Sequence, residues 1–160
     1  MKEFNYKLNY KKLNFRTKHR QLYRIGRGEQ GVLLVRPYTN LICRRWRFKT
    51  VKQAKKSAND IHSMYMGFRA LKDFIGMDMC RKFLEMGFTR ARRYANHRDG
   101  KKYDSKGNVK PQEPDALTCE KAKSARIFKR YRDLVTHDPI YIDMRKQWRE
   151  LEEAHANSNT

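Results

Sequence analysis

The sequence is short of acid. Seventeen Asp and Glu stand against 38 Lys and Arg in 160 residues, a formal charge of +21. Such a surplus repels itself in the folded state and draws polyanions, nucleic acid being the commonest. Cysteine is scarce and odd in number. Cys43, Cys80 and Cys119 lie far apart, which argues against a disulfide framework and leaves them as small hydrophobes. The five histidines, at 19, 62, 97, 137 and 155, show no HxxxH spacing and meet no CxxC pair, so no metal site is expected. No run approaches the roughly 20 apolar residues of a membrane span, and the charged start has no secretory apolar stretch. The expected setting is therefore intracellular, in cytoplasm, nucleus or a virion interior, with no membrane and no secretion. No cofactor is expected. GRGEQG at 26–31 lacks the spacing and the Lys-Ser/Thr ending of a P-loop, and no Ser or Cys sits in a Gly-flanked elbow.

What is present suffices for a core. The hydrophobic fraction is 39%, polar for a globular chain but above the disordered range. Charge is uneven: residues 1–60 hold 17 basic and 3 acidic side chains. Within them, Phe4, Tyr6, Leu8 and Tyr10 alternate at period two, which predicts an extended basic, aromatic-rich N-terminal arm over 1–25 with one sticky face. Residues 26–156 are expected to form a single domain. In it, VLLVRPY and LICRRWRF flank Thr39-Asn40 and read as a β-hairpin, with Pro37 near an edge.

Helices follow. Thr50 is a suitable N-cap, and Val51, Ala54, Ala58, Ile61, Tyr65 and Phe68 recur at helical spacing. From about Gly76, a second stripe runs through Met77, Cys80, Leu84, Phe88, Ala91 and Ala95. Lys82, Met86, Arg90, Arg93 and His97 fall on the opposite side, while Gly87 marks a bend or a close contact. The loop 97–116 contains a turn at DSKGN. Two helices finish the chain, the last opened by Asp138 with Pro139 at the first helical position. The expected fold class is α+β: an N-terminal basic arm and β-hairpin followed by four or five packed helices.

Basic side chains gather in two blocks. Arg44, Arg45 and Arg47 interleave with Trp46 and Phe48 and lead into Lys52, Lys55 and Lys56. Arginine serves both phosphate pairing and stacking, so these residues are expected to grip nucleic acid, with Trp46 as a stacking ring. The second block is Arg90, Arg92, Arg93, Tyr94, His97, Lys101 and Lys102, interrupted by one acid, Asp99. An ordinary solvated face mixes both signs; this one predicts phosphate contact, with Tyr94 stacking. Helical spacing fans the three arginines around the helix end and sets Arg92 on a flank nearer the core. Asp78 suits the positive end of the helix dipole and lies too far along the helix from His97 to form an acid–base pair.

The segments YRIGRGEQGVLLV, WRFKT, GMDM with RKF, and MGFTRARRYANHRDGKKYD resemble the motif blocks of a small family of unknown function. That family occurs in bacteria, some algae and large DNA viruses or phages, and the resemblance spans residues 4 to 150. It implies no activity. It does imply that Arg36, Arg44 and Arg45 are additions of this chain, and that Arg90, Arg92, Arg93, His97 and Lys101 serve something older, such as a phosphorylated ligand. The hairpin followed by FKTVKQAKKSA is also similar to the strand-to-helix passage of plant-type and integrase-type DNA-binding modules. The expected function is non-enzymatic binding of DNA or RNA with little sequence preference, in an accessory or structural protein of a nucleoprotein particle (virion or ribosome), beside other proteins of that assembly. Two alternatives stand beside it. One is an enzyme or sensor of a phosphorylated ligand through Arg90–Lys102; the other is a basic structural protein that meets an acidic protein.

Overall fold

In the computed structural model, which describes residues 3–158, five helices carry the chain: α1 (Tyr38–Cys43), α2 (Val51–Ala70), α3 (Phe74–Asn96), α4 (Glu120–Thr136) and α5 (Pro139–Ser158). Their starts follow from local chemistry. The Thr50 hydroxyl accepts the Gln53 amide at 3.1 Å and caps α2. An Asp73 carboxylate oxygen accepts the Gly76 amide at 3.3 Å, so α3 begins two residues earlier than its glycine suggests. Asp138 accepts the Ile140 amide at 3.0 Å ahead of Pro139.

α2, α3 and α4 pack on one another, and α3 is the axis. Every residue from Phe74 to Leu84 is buried. Two glycines allow the close approach: a β-carbon at Gly76 would overlap the Phe68 ring of α2, and one at Gly87 the Phe128 ring of α4. Phe128 is accordingly fully buried. The close-contact alternative for Gly87 holds, and the reason is the ring it receives.

The expected α+β class is overturned. Among the described residues no strand forms, and the DSKGN turn closes a single bridge between Tyr103 and Val109. Where a hairpin was expected, residues 26–37 make successive turns that run into α1. Val32, Val35, Tyr38 and Ile42 are buried while Leu33 is half exposed, a period of three to four rather than two. Thr39, expected in the hairpin turn, locks this bend: its hydroxyl donates to the Val32 carbonyl (2.8 Å) and accepts from the Val35 amide (3.0 Å). A four-residue apolar run fits a buried turn as well as a strand, and tertiary contacts chose the turn. Without the hairpin, the likeness to strand-to-helix DNA-binding modules goes too.

The expected arm is part of the core. Residues 3–37 wrap the side of α3 that periodicity assigned to solvent, so Lys82 and Met86 are buried there. Phe4, Tyr10, Phe15 and Tyr23 form a chain of rings with successive centroids 5.3, 5.8 and 6.4 Å apart. Through Trp148 it continues to Phe74 and Tyr141. Each fully buried ring contributes about 1.5–3 kcal/mol. An irregular path replaced the regular alternation because the rings pack on one another and not along one face; Tyr6 stays 58% exposed.

Three outcomes are expected. Deleting residues 1–25 uncovers α3 and abolishes cooperative thermal unfolding, measured by circular dichroism, instead of merely trimming charge. Gly87→Ala lowers stability by about 1–3 kcal/mol through overpacking. Gly67→Ala in α2, where nothing lies within 4 Å of a β-carbon, raises it by about 0.5–1 kcal/mol. Chemical denaturation of both variants reads the opposite signs.

Candidate nucleic-acid interface

The first basic block is brought together. α1 ends at Cys43, and the bend to α2 presents Arg44, Arg45 and Arg47 beside the first turns of α2. Arg44, Arg45, Arg47 and Lys56, with Ser57 and Asp60, line a cleft of about 160 Å³. The Arg47 amide donates to the Ser57 hydroxyl at 2.9 Å and fixes the bend. Asp60 pairs with Lys56 (2.8 Å) and approaches Arg45 (3.9 Å). Arg44, Lys52 and Lys55 are exposed and have no carboxylate partner among the described residues.

The aromatic part of this block differs from expectation. Trp46 is no free stacking platform. It is half-buried against Phe48 (5.1 Å between centroids) and Phe83 (6.5 Å), and its indole N–H is buried with no acceptor among the described residues. It plugs the gap between the bend and α3.

The second block is dispersed. Arg90 turns toward the N-terminal loops, lining a depression with Tyr6, Glu29 and Leu33. Arg92 donates to the Asn96 side chain at 3.1 Å and to the Ala116 carbonyl, tying the end of α3 to the loop before α4. Arg93 and Lys101 are exposed, and the Lys102 ammonium lies over the Tyr103 ring at 5.6 Å. His97 is buried, with Nδ1 unpartnered among the described residues. It follows the last turn of α3, where the chain turns inward, and cannot meet a phosphate in solvent. Tyr94 packs against Phe48 at 6.0 Å, so it joins the first block rather than the second.

Lys121 makes that join and was missing from the sequence reading. Its ammonium donates to the Phe48 and Lys49 carbonyls (3.1 and 3.0 Å) and sits over the Phe48 and Tyr94 rings. Burial lowers its pKa. Arg126, Lys129 and Arg130 add exposed cations on α4 around a shallow depression that Asp133 shares, paired with Lys129 at 3.4 Å. Their i, i+3, i+4 spacing was a readable signal.

Several acids are turned inward. Asp73 accepts from Arg20 (3.1 Å) and Tyr38 (2.6 Å), and Asp138 from Arg69 (2.8 Å) and Tyr65 (2.7 Å). Glu85 takes Arg132 at 2.9 Å. Asp78, expected to serve the helix dipole, is fully buried and accepts from Arg81 Nε (2.7 Å), Tyr141 (2.6 Å) and Tyr23. Beside it Lys82 donates to the Gln30 carbonyl at 2.7 Å and lies over the Phe4 and Tyr23 rings. These carboxylates are held by internal or half-buried partners, whereas Arg44, Lys52 and Lys55 face out unpaired among the described residues.

Burial alone would raise the Asp78 pKa, but Arg81 and Lys82 pull it down to about 2. A carboxyl depressed in the folded state contributes stability above its ordinary pKa and loses it as pH falls through the folded value. About 2–3 kcal/mol is expected to vanish between pH 4 and 2. Asp78→Asn should be less stable at pH 7 by about 3–5 kcal/mol, because Arg81 is left buried and unpaired, and should lose less on acidification. Urea unfolding of both proteins across pH 2–7 measures the difference.

Among the described residues, no helix is long and apolar enough to cross a membrane, and no group of three His, Cys, Asp or Glu is placed to hold a metal ion. No curated protein and no solved structure matches the chain. One family does, over residues 5–151, a span that includes both basic blocks and the ring chain from Tyr10 to Trp148. The chain belongs to that family, described as Domain of unknown function (DUF4385).

Proposed function

We propose that the protein binds nucleic acid through its phosphates, with little sequence preference, and that the α1–α2 corner is the main grip. The observation that carries this reading is the sorting of charge. Asp73, Asp78, Glu85, Asp138 and Glu152 are spent on buried or half-buried pairs, while Arg44, Lys52 and Lys55 stand exposed with no carboxylate partner among the described residues, beside Arg45, Arg47 and Lys56. Such a surface neutralises successive phosphates and releases counterions. Lys121 adjoins it, and Arg126, Lys129 and Arg130 add further cations on α4. The setting that suits such a protein is an intracellular nucleoprotein particle, a virion or a ribosome, where it is an accessory or structural component. The alternative of a phosphorylated-ligand site at Arg90–Lys102 draws no support from the geometry, since His97 is buried, Arg92 is tied to Ala116 and Arg90 faces elsewhere.

Affinity for duplex DNA and RNA should fall steeply with salt. Arg44→Ala, Lys52→Ala and Lys55→Ala should each weaken binding modestly and lower the log–log salt slope by about one per lost contact, with melting temperature unchanged. Arg92→Ala should do the reverse, lowering the melting temperature and leaving the slope alone. Fluorescence anisotropy across salt concentrations reads the first, a melting curve the second. A slope near zero for the unaltered protein would sink the reading, and tight binding to an acidic protein with none to nucleic acid would replace it.

A further inference from the structure

A second concentration of positive charge lies away from the α1–α2 corner and draws on residues that neither basic block includes. Between the Gly26–Gly28 loop, α3 and α5 there is a cleft of about 750 Å³, lined by five cationic side chains: Arg27, Arg81, Arg145, Lys146 and Arg149. That volume lies within the range of pockets for small organic ligands.

Two of the five are rigidly placed. The Arg81 side chain is 11% exposed, with Nε on Asp78 (2.7 Å) and Nη1 on the Gly28 carbonyl (2.8 Å). Its Nη2 has no acceptor among the described residues. Arg149 is held by Glu152 (2.9 Å) and by the Gly26 carbonyl (2.9 Å). By contrast, Arg145 and Lys146 are exposed one helical turn earlier and have no counter-ion among the described residues. The Arg27 side chain makes an exposed pair with Glu3 at 3.2 Å.

The loop at the rim is GRGEQG, which the sequence alone gave no task. Gly26 and Gly28 both have positive φ (69° and 51°), so this bend favours residues without a β-carbon. The Gly28 carbonyl is what orients Arg81, and its amide has no acceptor among the described residues. Half-exposed Ile142 supplies an apolar patch beside the cations.

We propose that this cleft is a binding site for a phosphate monoester of nucleotide size. The free edge of Arg81 and the unpaired Arg145 and Lys146 take the dianionic phosphate, and Ile142 takes part of the organic moiety. A guanidinium with two donors already fixed meets a phosphate oxygen with little ordering cost, and arginine matches phosphate geometry better than a point charge does. A phosphate monoester has two possible sources, a free nucleotide or the 5′-phosphorylated end of a nucleic acid. The site is separate from the corner that grips internal phosphates, so each proposal can fail alone.

The test is calorimetric titration of the full chain with adenosine 5′-monophosphate and with adenosine. A single site for the monophosphate and none for adenosine is expected. The double variant Arg145→Ala/Lys146→Ala, altered only at exposed positions, should weaken it at least about tenfold. The triple variant Arg44→Ala/Lys52→Ala/Lys55→Ala should leave it unchanged while reducing the nucleic-acid salt slope. Arg81→Lys keeps the charge, loses the fork and should weaken the monophosphate as well. Paired oligonucleotides with a 5′-phosphate or a 5′-hydroxyl then separate the sources. A preference for the phosphorylated end that the double variant removes supports the polymer end, and equal binding of both supports the free nucleotide. Absence of monophosphate binding would overturn the proposal. So would binding that the corner variant weakens and the double variant does not.

Discussion

Asp78 is a carboxylate with no access to solvent, and three separate parts of the chain come to it. Arg81 reaches it from its own helix, Tyr23 from the irregular first segment and Tyr141 from α5. Taking a carboxylate out of water costs several kcal/mol, offset only where its oxygens are fully bonded. The position of each donor is therefore constrained by the others. Arg81 carries the constraint onward to the Gly28 carbonyl, and Lys82 carries it to Gln30. The path of residues 3–37 around α3, and with it the cleft at Arg81, is bound to satisfying this one buried anion.

That dependence explains which parts of the fold were legible. The inner stripe of α2, the Thr50 cap and the Asp138-Pro139 start could be read because each is a local matter of spacing or capping. Lys82 misled because charge on a helix normally marks the wet side, and Asp78 because an acid in the first turns normally serves the helix dipole. Here that side is covered by a segment some fifty positions earlier, a fact that α3's own periodicity does not contain. Likewise the alternation of Phe4, Tyr6, Leu8 and Tyr10 suggested a strand, but Phe4 and Tyr10 stack on each other and Tyr6 turns outward.

The candidate surfaces divide in the same way. Arg44 to Lys56 is contiguous in sequence and in space, so its clustering was visible. Arg90 to Lys102 is contiguous in sequence alone, since helical rotation and an inward turn at His97 disperse it. The cleft at Arg81, Arg145 and Lys146 is contiguous in space alone. No spacing rule joins a loop near residue 27 to a helix near residue 146. Its arginines were visible as charges but not as a set.

The ring chain has one further consequence, for the time at which the protein can fold. Trp148 donates its indole N–H to the Tyr23 carbonyl, and Glu152 accepts the Ile25 amide, across 125 and 127 positions. Chains are synthesised at about 5–20 residues per second, so roughly 6–25 s separate the emergence of Tyr23 from that of its partner. During that interval Phe15, Tyr23 and Ile25 have no α5 to cover them, and Asp78 lacks Tyr141. Contacts of such long sequence separation slow folding as well. The contacts that complete the fold thus wait for α5, and a basic, aromatic-rich segment is on view to polyanions before the folded surface exists.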